Sequence, residues 1–293
     1  PAAEGVLPVC LGKGTRLCDM LTGKTKTYRA VLLLGQETDT QDTTGVVQAE
    51  YPVHVTEEEV RKAIVSFLGD YMQIPPMYSA LKVNGKKLYE LARQGKEVER
   101  QARPVQILDI QIESIDLPRA TFFVTCSKGT YIRTLCYDIG RKLGCGGCME
   151  SLLRTRVDRF ELKDSLTLSQ IEKLRDEGRL EEAVVPVEGV FLRLPALVTK
   201  PGDGDKLLHN GNPFPAELAE AEDCDLSVEF GAGSDCAAEP AGRSETECGL
   251  AASVADRFDG VRVYDSEHHF IGIYRYSEEK RRYQPQKIFL GGN

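Results

Sequence analysis

Residues 105–144, VQILDIQIESIDLPRATFFVTCSKGTYIRTLCYDIGRKLG, carry the densest structural signal in the chain. Val105 to Ile115 and Ala120 to Cys126 are rich in β-branched and aromatic residues, the composition of strands. Asp116-Leu-Pro-Arg119 separates them with turn residues, so the two are expected as a hairpin. Thr130 then stands where a helix cap would, before an apolar-periodic run from Tyr131 to Leu143, and Gly144 supplies the stop. The stretch mixes strand and helix in short succession.

Upstream, Thr56-Glu-Glu-Glu59 is a capping box opening a helix whose apolar positions include Val60, Ala63, Ile64 and Phe67, with Gly69 at its end. Thr27 to Leu34 is a strand candidate closed by Gly35, and the polar stretch from Gly35 to Gly45 reads as a loop. Gly5 to Leu11 is a short apolar run, consistent with a buried strand or helix start. Between Gln73 and Lys96, Pro75-Pro76 forbids regular structure, Asn84-Gly85 signals a turn and Leu88 to Gln94 a short helix. Downstream, Ser151 to Phe160 continues as strand or loop, and Gln170 to Glu177 is a further helix preceded by Thr167 and Ser169. Residues 186–195 look like a linker, after which short strands and turns follow, clearest at Gly260 to Tyr264 and Phe270 to Tyr276.

The chain has 293 residues and a net charge of −8. Between Ala216 and Cys248 stand ten acidic residues against the single Arg243, so that segment carries −9 and leaves +1 for the rest. A near-neutral body can still present a basic face, so charge permits a nucleic-acid partner without indicating one. The segment lacks periodicity and is expected as a disordered insertion over about 216–255. No apolar run reaches the roughly 18 residues of a membrane helix. The start, Pro1 to Lys13, has no basic region and does not read as a signal peptide, so the expected location is cytoplasmic. The nine cysteines are scattered and odd in number, unlike a secreted disulfide framework. Cys145-Gly-Gly-Cys148 has the spacing of half a zinc site, but no second close pair completes it, and His268-His269 are too close to ligate one tetrahedral ion. Buried thiols are the better reading, and no metal is expected.

Four separated segments carry a resemblance. They are PAAEGVLPVCLGKGT over 1–15; KTKTYR over 24–29 with the loop 35–45; Gln73 to Gly95 around PPMYSALK; and CSKGTYIRT over 126–134 with Leu152-Leu153-Arg154 downstream. In order and spacing they resemble the TruB family of pseudouridine synthases across about residues 1–160. Val261 to Leu290 is similar to the short RNA-binding tail domain of bacterial members. The resemblance implies an α/β (α+β) fold: a pseudouridine synthase domain over 1–185 around a mixed, mostly antiparallel sheet, the linker 186–195, and a small β-rich RNA-binding-like domain over 196–293. It implies isomerisation of uridine 55 in the T stem-loop of tRNA, with no cofactor and a monomeric enzyme.

In that family the nucleophilic aspartate stands immediately before the proline that here is Pro1. The resemblance thus places the aspartate, and the strand leading to it, ahead of this sequence, and the chain reads as one that opens just past its nucleophile. The alternative is a tRNA-binding chain without chemistry; a cysteine-based metal or redox protein is a third reading.

Breaking N1–C1′ of a uridine and forming C5–C1′ requires the base to be flipped out of the RNA and held. The resemblance assigns Tyr28 a stacking or proton-accepting role beneath the base, where a strand tyrosine packed on a neighbour is the plain alternative. Tyr131, at a helix start, would close the pocket, or else simply pack on its helix face. Arg133 would pair with the aspartate through its planar fork, the alternative being a surface arginine. Leu152 would be a pocket wall or an ordinary core leucine. Asp42 and Asp39 would hold their loop by bonds to the backbone or help seat the RNA. Lys24, Lys26 and Arg29 would meet phosphates. Tyr78 and the turn Lys82 to Lys87 would lean on the RNA stem-loop. Gly5 and Leu7 are expected to pack behind the nucleophile loop.

Overall fold

The computed structural model describes residues 4–83, 85–222 and 260–290. They form two compact units, one over residues 1–9 and 18–170, the other over 10–17 and 171–293. The first contains β1 (Glu4–Gly5), α1 (Cys18–Thr22), β2 (Lys26–Leu34), β3 (Gln36–Thr38), β4 (Val47–Glu50), α2 (Glu57–Val65) and β5 (Gly69–Gln73). It continues with β6 (Lys82–Val83), β7 (Lys86–Lys87), α3 (Leu88–Ala92), β8 (Arg103–Asp116), β9 (Arg119–Cys126), α4 (Ile132–Leu143), β10 (Gly147–Val157) and β11 (Phe160–Glu161). Helix α5 (Leu168–Asp176) lies at the division between the units.

One sheet runs in the order β1-β10-β2-β9-β8-β5, with β11 on β10. Every pairing is antiparallel except β1 with β10, so the sheet is mixed and mostly antiparallel, as the resemblance implies. Period-two alternation decides its buried face. Ala30, Leu32 and Leu34 of β2 and Ala120, Phe122, Val124 and Cys126 of β9 enter one core with Ile132, Leu135, Cys136 and Ile139 of α4 and Val60 and Ile64 of α2. Helix α4 ends where Gly144 takes φ 73°, the left-handed cap expected of that glycine. At Gly140 a Cβ would lie 2.3 Å from the Gly147 nitrogen, so only glycine lets α4 approach the start of β10 this closely.

Three local expectations need correction. The loop over 35–45 holds a strand, β3, paired with β4; a polar hairpin at the surface shows no apolar alternation to reveal it. Ser151 to Phe160, expected as strand or loop, lies mainly in β10, between β1 and β2. The apolar run Gly5 to Leu11 buries only Val6, while Leu7, Val9 and Leu11 are 71%, 72% and 66% exposed. Pro8 has no N–H to continue the ladder on β10, which accounts for the strand's stopping after two residues. Thr130 does not cap α4: its hydroxyl donates to the Ser127 carbonyl, and Tyr131 occupies the cap position.

The second unit contains β12 (Ala196–Thr199), α6 (Asp203–His209), β13 (Phe214–Pro215), β14 (Ala219–Glu222), β15 (Val261–Tyr264), β16 (Phe270–Ser277) and β17 (Arg282–Ile288). Its sheet order is β13-β17-β16-β15-β12-β14. Leu197, Leu208, Phe214, Val263, Tyr274 and Tyr283 form its core. In the stretch 186–195, Phe191 is buried against Phe270 and Phe289, and the Leu194 carbonyl accepts from Arg262 Nε at 2.9 Å. The opening of the acidic segment is ordered, because Ala219–Glu222 pairs along β12, where backbone bonds outweigh a composition poor in strand formers. The remainder of that segment, like Pro1 and Asn84, lies outside the described residues. Among the described residues no helix is long and apolar enough to cross a membrane.

Candidate active site

Strand β2 places Tyr28 on the same face as Ala30 and Leu32, half-buried against the core, opposite Arg154 of β10 and Val124 of β9. Leu152 stands opposite Ala30, which makes it the diagonal neighbour of Tyr28 on that face. Burial raises the Tyr28 phenol above its ordinary value, while the charge of Arg154, opposite it on β10, pulls the other way. Cys126 is pushed up to about 11 by burial, so it stays a neutral thiol at physiological pH.

The loop between β3 and β4 brings Asp42 to the front of α4. Gln41 takes φ 63°, uncommon for a residue with a side chain, and the surroundings fix it. Its carbonyl accepts from Met149 N at 3.0 Å, and its side-chain oxygen accepts from Thr134 Oγ1 at 2.7 Å. Thr43 N donates to the Met149 carbonyl at 3.0 Å, so β10 holds the loop from one side and α4 from the other. Asp42 divides its two oxygens. Oδ1 accepts from Thr40 Oγ1 at 2.8 Å, Thr44 N at 3.1 Å and Thr44 Oγ1 at 2.6 Å. Oδ2 meets Arg133 Nη1 at 3.1 Å. One carboxylate thus ties its own loop and orients the guanidinium. Asp39 ties the same loop, accepting from Val46 N at 2.8 Å, and its other oxygen receives the Tyr78 hydroxyl at 3.3 Å.

The first turn of α4 carries Tyr131 and Arg133. Gln73, at the end of β5 and only 1% exposed, holds the Tyr131 backbone at both ends. Its Oε1 accepts from Tyr131 N at 2.8 Å and its Nε2 donates to the Tyr131 carbonyl at 3.0 Å. Gln73 opens the third resembling segment, yet a lone glutamine beside a Pro-Pro pair gives no signal of this role.

Residues 4–6 dock beside β10. Val6 N donates to the Arg154 carbonyl at 2.9 Å, and Arg154 Nε donates back to the Val6 carbonyl at 2.6 Å. Gly5 takes φ +116°, and a Cβ there would lie 2.2 Å from the Arg154 carbonyl oxygen, so the docking requires glycine. Gly5 is thus a contact residue on β10, whereas exposed Leu7 does not pack as expected. Arg154 lies within a resembling segment, but what marks it out, a bond to the Val6 carbonyl and a place opposite Tyr28, is a tertiary fact.

Of the remaining residues, Lys26 stands two positions from Tyr28 on the same strand face, whereas Arg29 does not. Arg29 alternates to the opposite sheet face from Tyr28 and pairs with Glu113, Nε to Oε2 at 2.7 Å. Lys26 folds its ammonium onto the Thr22 and Lys24 carbonyls at 3.2 and 2.8 Å, and burial together with Arg154 lowers its pKa. Lys82–Val83 and Lys86–Lys87 form a small hairpin. Cys145 and Cys148 are buried, and among the described residues no group of three or more His, Cys, Asp or Glu is arranged to hold a metal.

Comparison with known proteins fits this arrangement to one family. The family model "TruB family pseudouridylate synthase (N terminal domain)" matches residues 1–132, and "tRNA pseudouridylate synthase B C-terminal domain" matches residues 133–191. A relative from Lachnoclostridium phytofermentans named tRNA pseudouridine synthase B is 44% identical over 99% of this chain and 88% of its own length. One of the same name from Geobacter sulfurreducens is 39% identical over 92% and 85%. Among solved structures, a Cbf5-Nop10-Gar1 complex contains a chain with TM-score 0.61 at 20% identity, over 98% of this chain and 73% of that one. That last likeness speaks to the fold alone. The two sequence comparisons go further: the chain belongs to the TruB family of pseudouridylate synthases.

Proposed function

We propose that the protein converts uridine 55 in the T stem-loop of tRNA to pseudouridine. The observation that carries this reading is the convergence of Asp42 and Arg133, 3.1 Å apart, at the α4 end of the sheet face that bears Tyr28 and Leu152. The names of the full-span relatives supply the RNA class.

The reaction breaks N1–C1′, turns the base, forms C5–C1′, and moves one proton from C5 while N1 gains one. Composition and oxidation state are unchanged overall, so the chemistry calls for no redox partner. Arg133, held by Asp42, is set to pair with the nucleophilic aspartate that the family resemblance places directly before Pro1, keeping it ionised and aimed. Tyr28 supplies an aromatic face for the flipped base, and once its phenol has passed its own proton to solvent, its oxygen, on the residue opposite Arg154, accepts the C5 proton. Tyr131 and Leu152 wall the pocket. Lys24, Lys26 and Arg29 contact phosphates, with Arg29 exchanging Glu113 for RNA. Tyr78 and the turn 82–87 rest on the stem-loop, and the tail over 196–293 adds RNA contact. The enzyme acts as a monomer in the cytoplasm.

Incubating the full-length protein with unmodified tRNA transcript and mapping pseudouridine by carbodiimide-directed primer stops tests this. The expected result is one modified site, uridine 55, lost when that base is changed to cytidine. Binding without product, or product elsewhere, contradicts it.

A further inference from the structure

We infer that Gln73 is a positioning residue for the reaction, acting through the backbone of Tyr131. The inference rests on the reading of Tyr131 as a pocket residue and adds what fixes it. A glutamine amide carries an acceptor and two donors, the same kinds of group a peptide offers, so one side chain can complete a helix-start residue whose N–H has no strand or helix partner and add a bond to its carbonyl. Gln73 is used in that way. Its oxygen takes the Tyr131 N–H and its nitrogen serves the Tyr131 carbonyl, a closed two-bond ring on one residue. Tyr71 stands two residues back on the same face of β5.

Tyr131 needs such a hold. It is the N-cap of α4 with extended backbone, φ −100° and ψ 108°, and no side-chain cap bond of its own. Its N–H has no intrahelical partner at that position. A second hold lies two turns further along, where the Tyr71 hydroxyl donates to Asp138 of α4. Strand β5 thus grips α4 at its N-cap and in its middle, and Gln73 fixes the backbone from which Tyr131 projects. Directly after Gln73 the chain leaves the sheet through Ile74-Pro75-Pro76 toward Tyr78, so the same residue stands where the stem-loop segment begins. A buried polar network with each partner satisfied fixes geometry more tightly than apolar packing would.

The test is a double-mutant cycle on the full-length protein, with single-turnover rate, tRNA affinity and melting temperature measured for each variant. Gln73→Leu keeps the volume and removes both bonds. Gln73→Glu keeps the acceptor for Tyr131 N–H but turns a carboxylate oxygen on the Tyr131 carbonyl, and serves if the leucine variant does not fold. The expected result is a rate loss of about 10–100-fold, the scale of a misplaced pocket group, with tRNA affinity unchanged within about threefold. In a Tyr131→Ala background the same change should cost less than about threefold more, because effects of residues acting as a unit do not multiply. A Gln73 effect that multiplies fully in both backgrounds, or that follows the folded fraction alone, overturns the inference. Tyr131→Ala by itself reports on the underlying reading: if it leaves the rate intact, Tyr131 is not a pocket residue, whereas a slow Tyr131→Ala with multiplicative Gln73 effects removes only the positioning role.

Discussion

Arg133 and Asp42 show how much one side chain's geometry decides. A guanidinium fork can rest on Asp42 Oδ2 and still offer N–H groups to a second carboxylate; a lysine ammonium is a point charge on a flexible stem. Arg133→Lys is therefore expected to slow single-turnover pseudouridine formation by about 100-fold or more, the usual loss when an oriented charge is removed, while tRNA affinity changes little. Comparable rates for the two side chains would refute the orienting role. Tyr28→Phe keeps the ring and deletes the phenol oxygen. It should bind tRNA normally and lose about 100- to 10,000-fold in rate, the span of general base catalysis; an active phenylalanine variant would leave Tyr28 as a platform only. Tyr28, Asp42, Arg133 and Leu152 were legible in the sequence because they sit in segments whose order and spacing repeat a family pattern. Gln73 and Arg154 were not, because their roles lie in bonds to backbone atoms from distant strands, and a backbone atom leaves no mark on residue type.

At the level of elements, local rules predicted what local forces determine. The box at Thr56 and Glu59 forms as expected: Glu59 Oε2 accepts from Thr56 N at 2.8 Å, and Thr56 Oγ1 accepts from Glu59 N at 3.3 Å. The Thr56 backbone N–H and hydroxyl, both donating to Glu59 Oε2, hold the carboxyl below its ordinary value. A depressed carboxylate stabilises above the unfolded-state pKa, and that contribution fades as pH falls through the folded one. Thr56→Ala is thus expected to lower the melting temperature by about 2–5 °C at pH 7, with the deficit shrinking below about pH 4; a deficit independent of pH would mean the box is not the cause. The short β1 is the opposite case. Its register depends on Arg154, so hydrophobicity over 5–11 pointed to burial that the structure gives to Val6 alone. Gly5→Ala places a methyl on a backbone oxygen at a φ that alanine rarely adopts. It should destabilise by about 1–3 kcal/mol and slow catalysis more than Thr56→Ala does, since it displaces the segment beside Tyr28. A variant with unchanged melting and rate would show that β1 does not need its present docking.

Over the whole molecule, the two sheets answer to different signals. The first was legible as a family pattern backed by strand composition and a capped helix. The second was legible as short strands, but the way Ala219–Glu222 extends its edge was hidden by an acidic composition that argues for disorder. Net charge alone would have pointed away from RNA, and only the uneven placement of acidic residues kept that partner open. The claim that unites the scales is that this sheet face, with Arg133 at its end, isomerises uridine in tRNA. Release of tritium from tRNA transcript labelled at uridine C5 measures that step directly, because the C5 hydrogen leaves only when the new glycosidic bond forms. The full-length protein should release one tritium equivalent per tRNA from a transcript labelled at position 55, and Arg133→Ala should bind the same RNA with release reduced by about 100-fold or more. Stoichiometric binding with no release by the full-length protein would contradict the account.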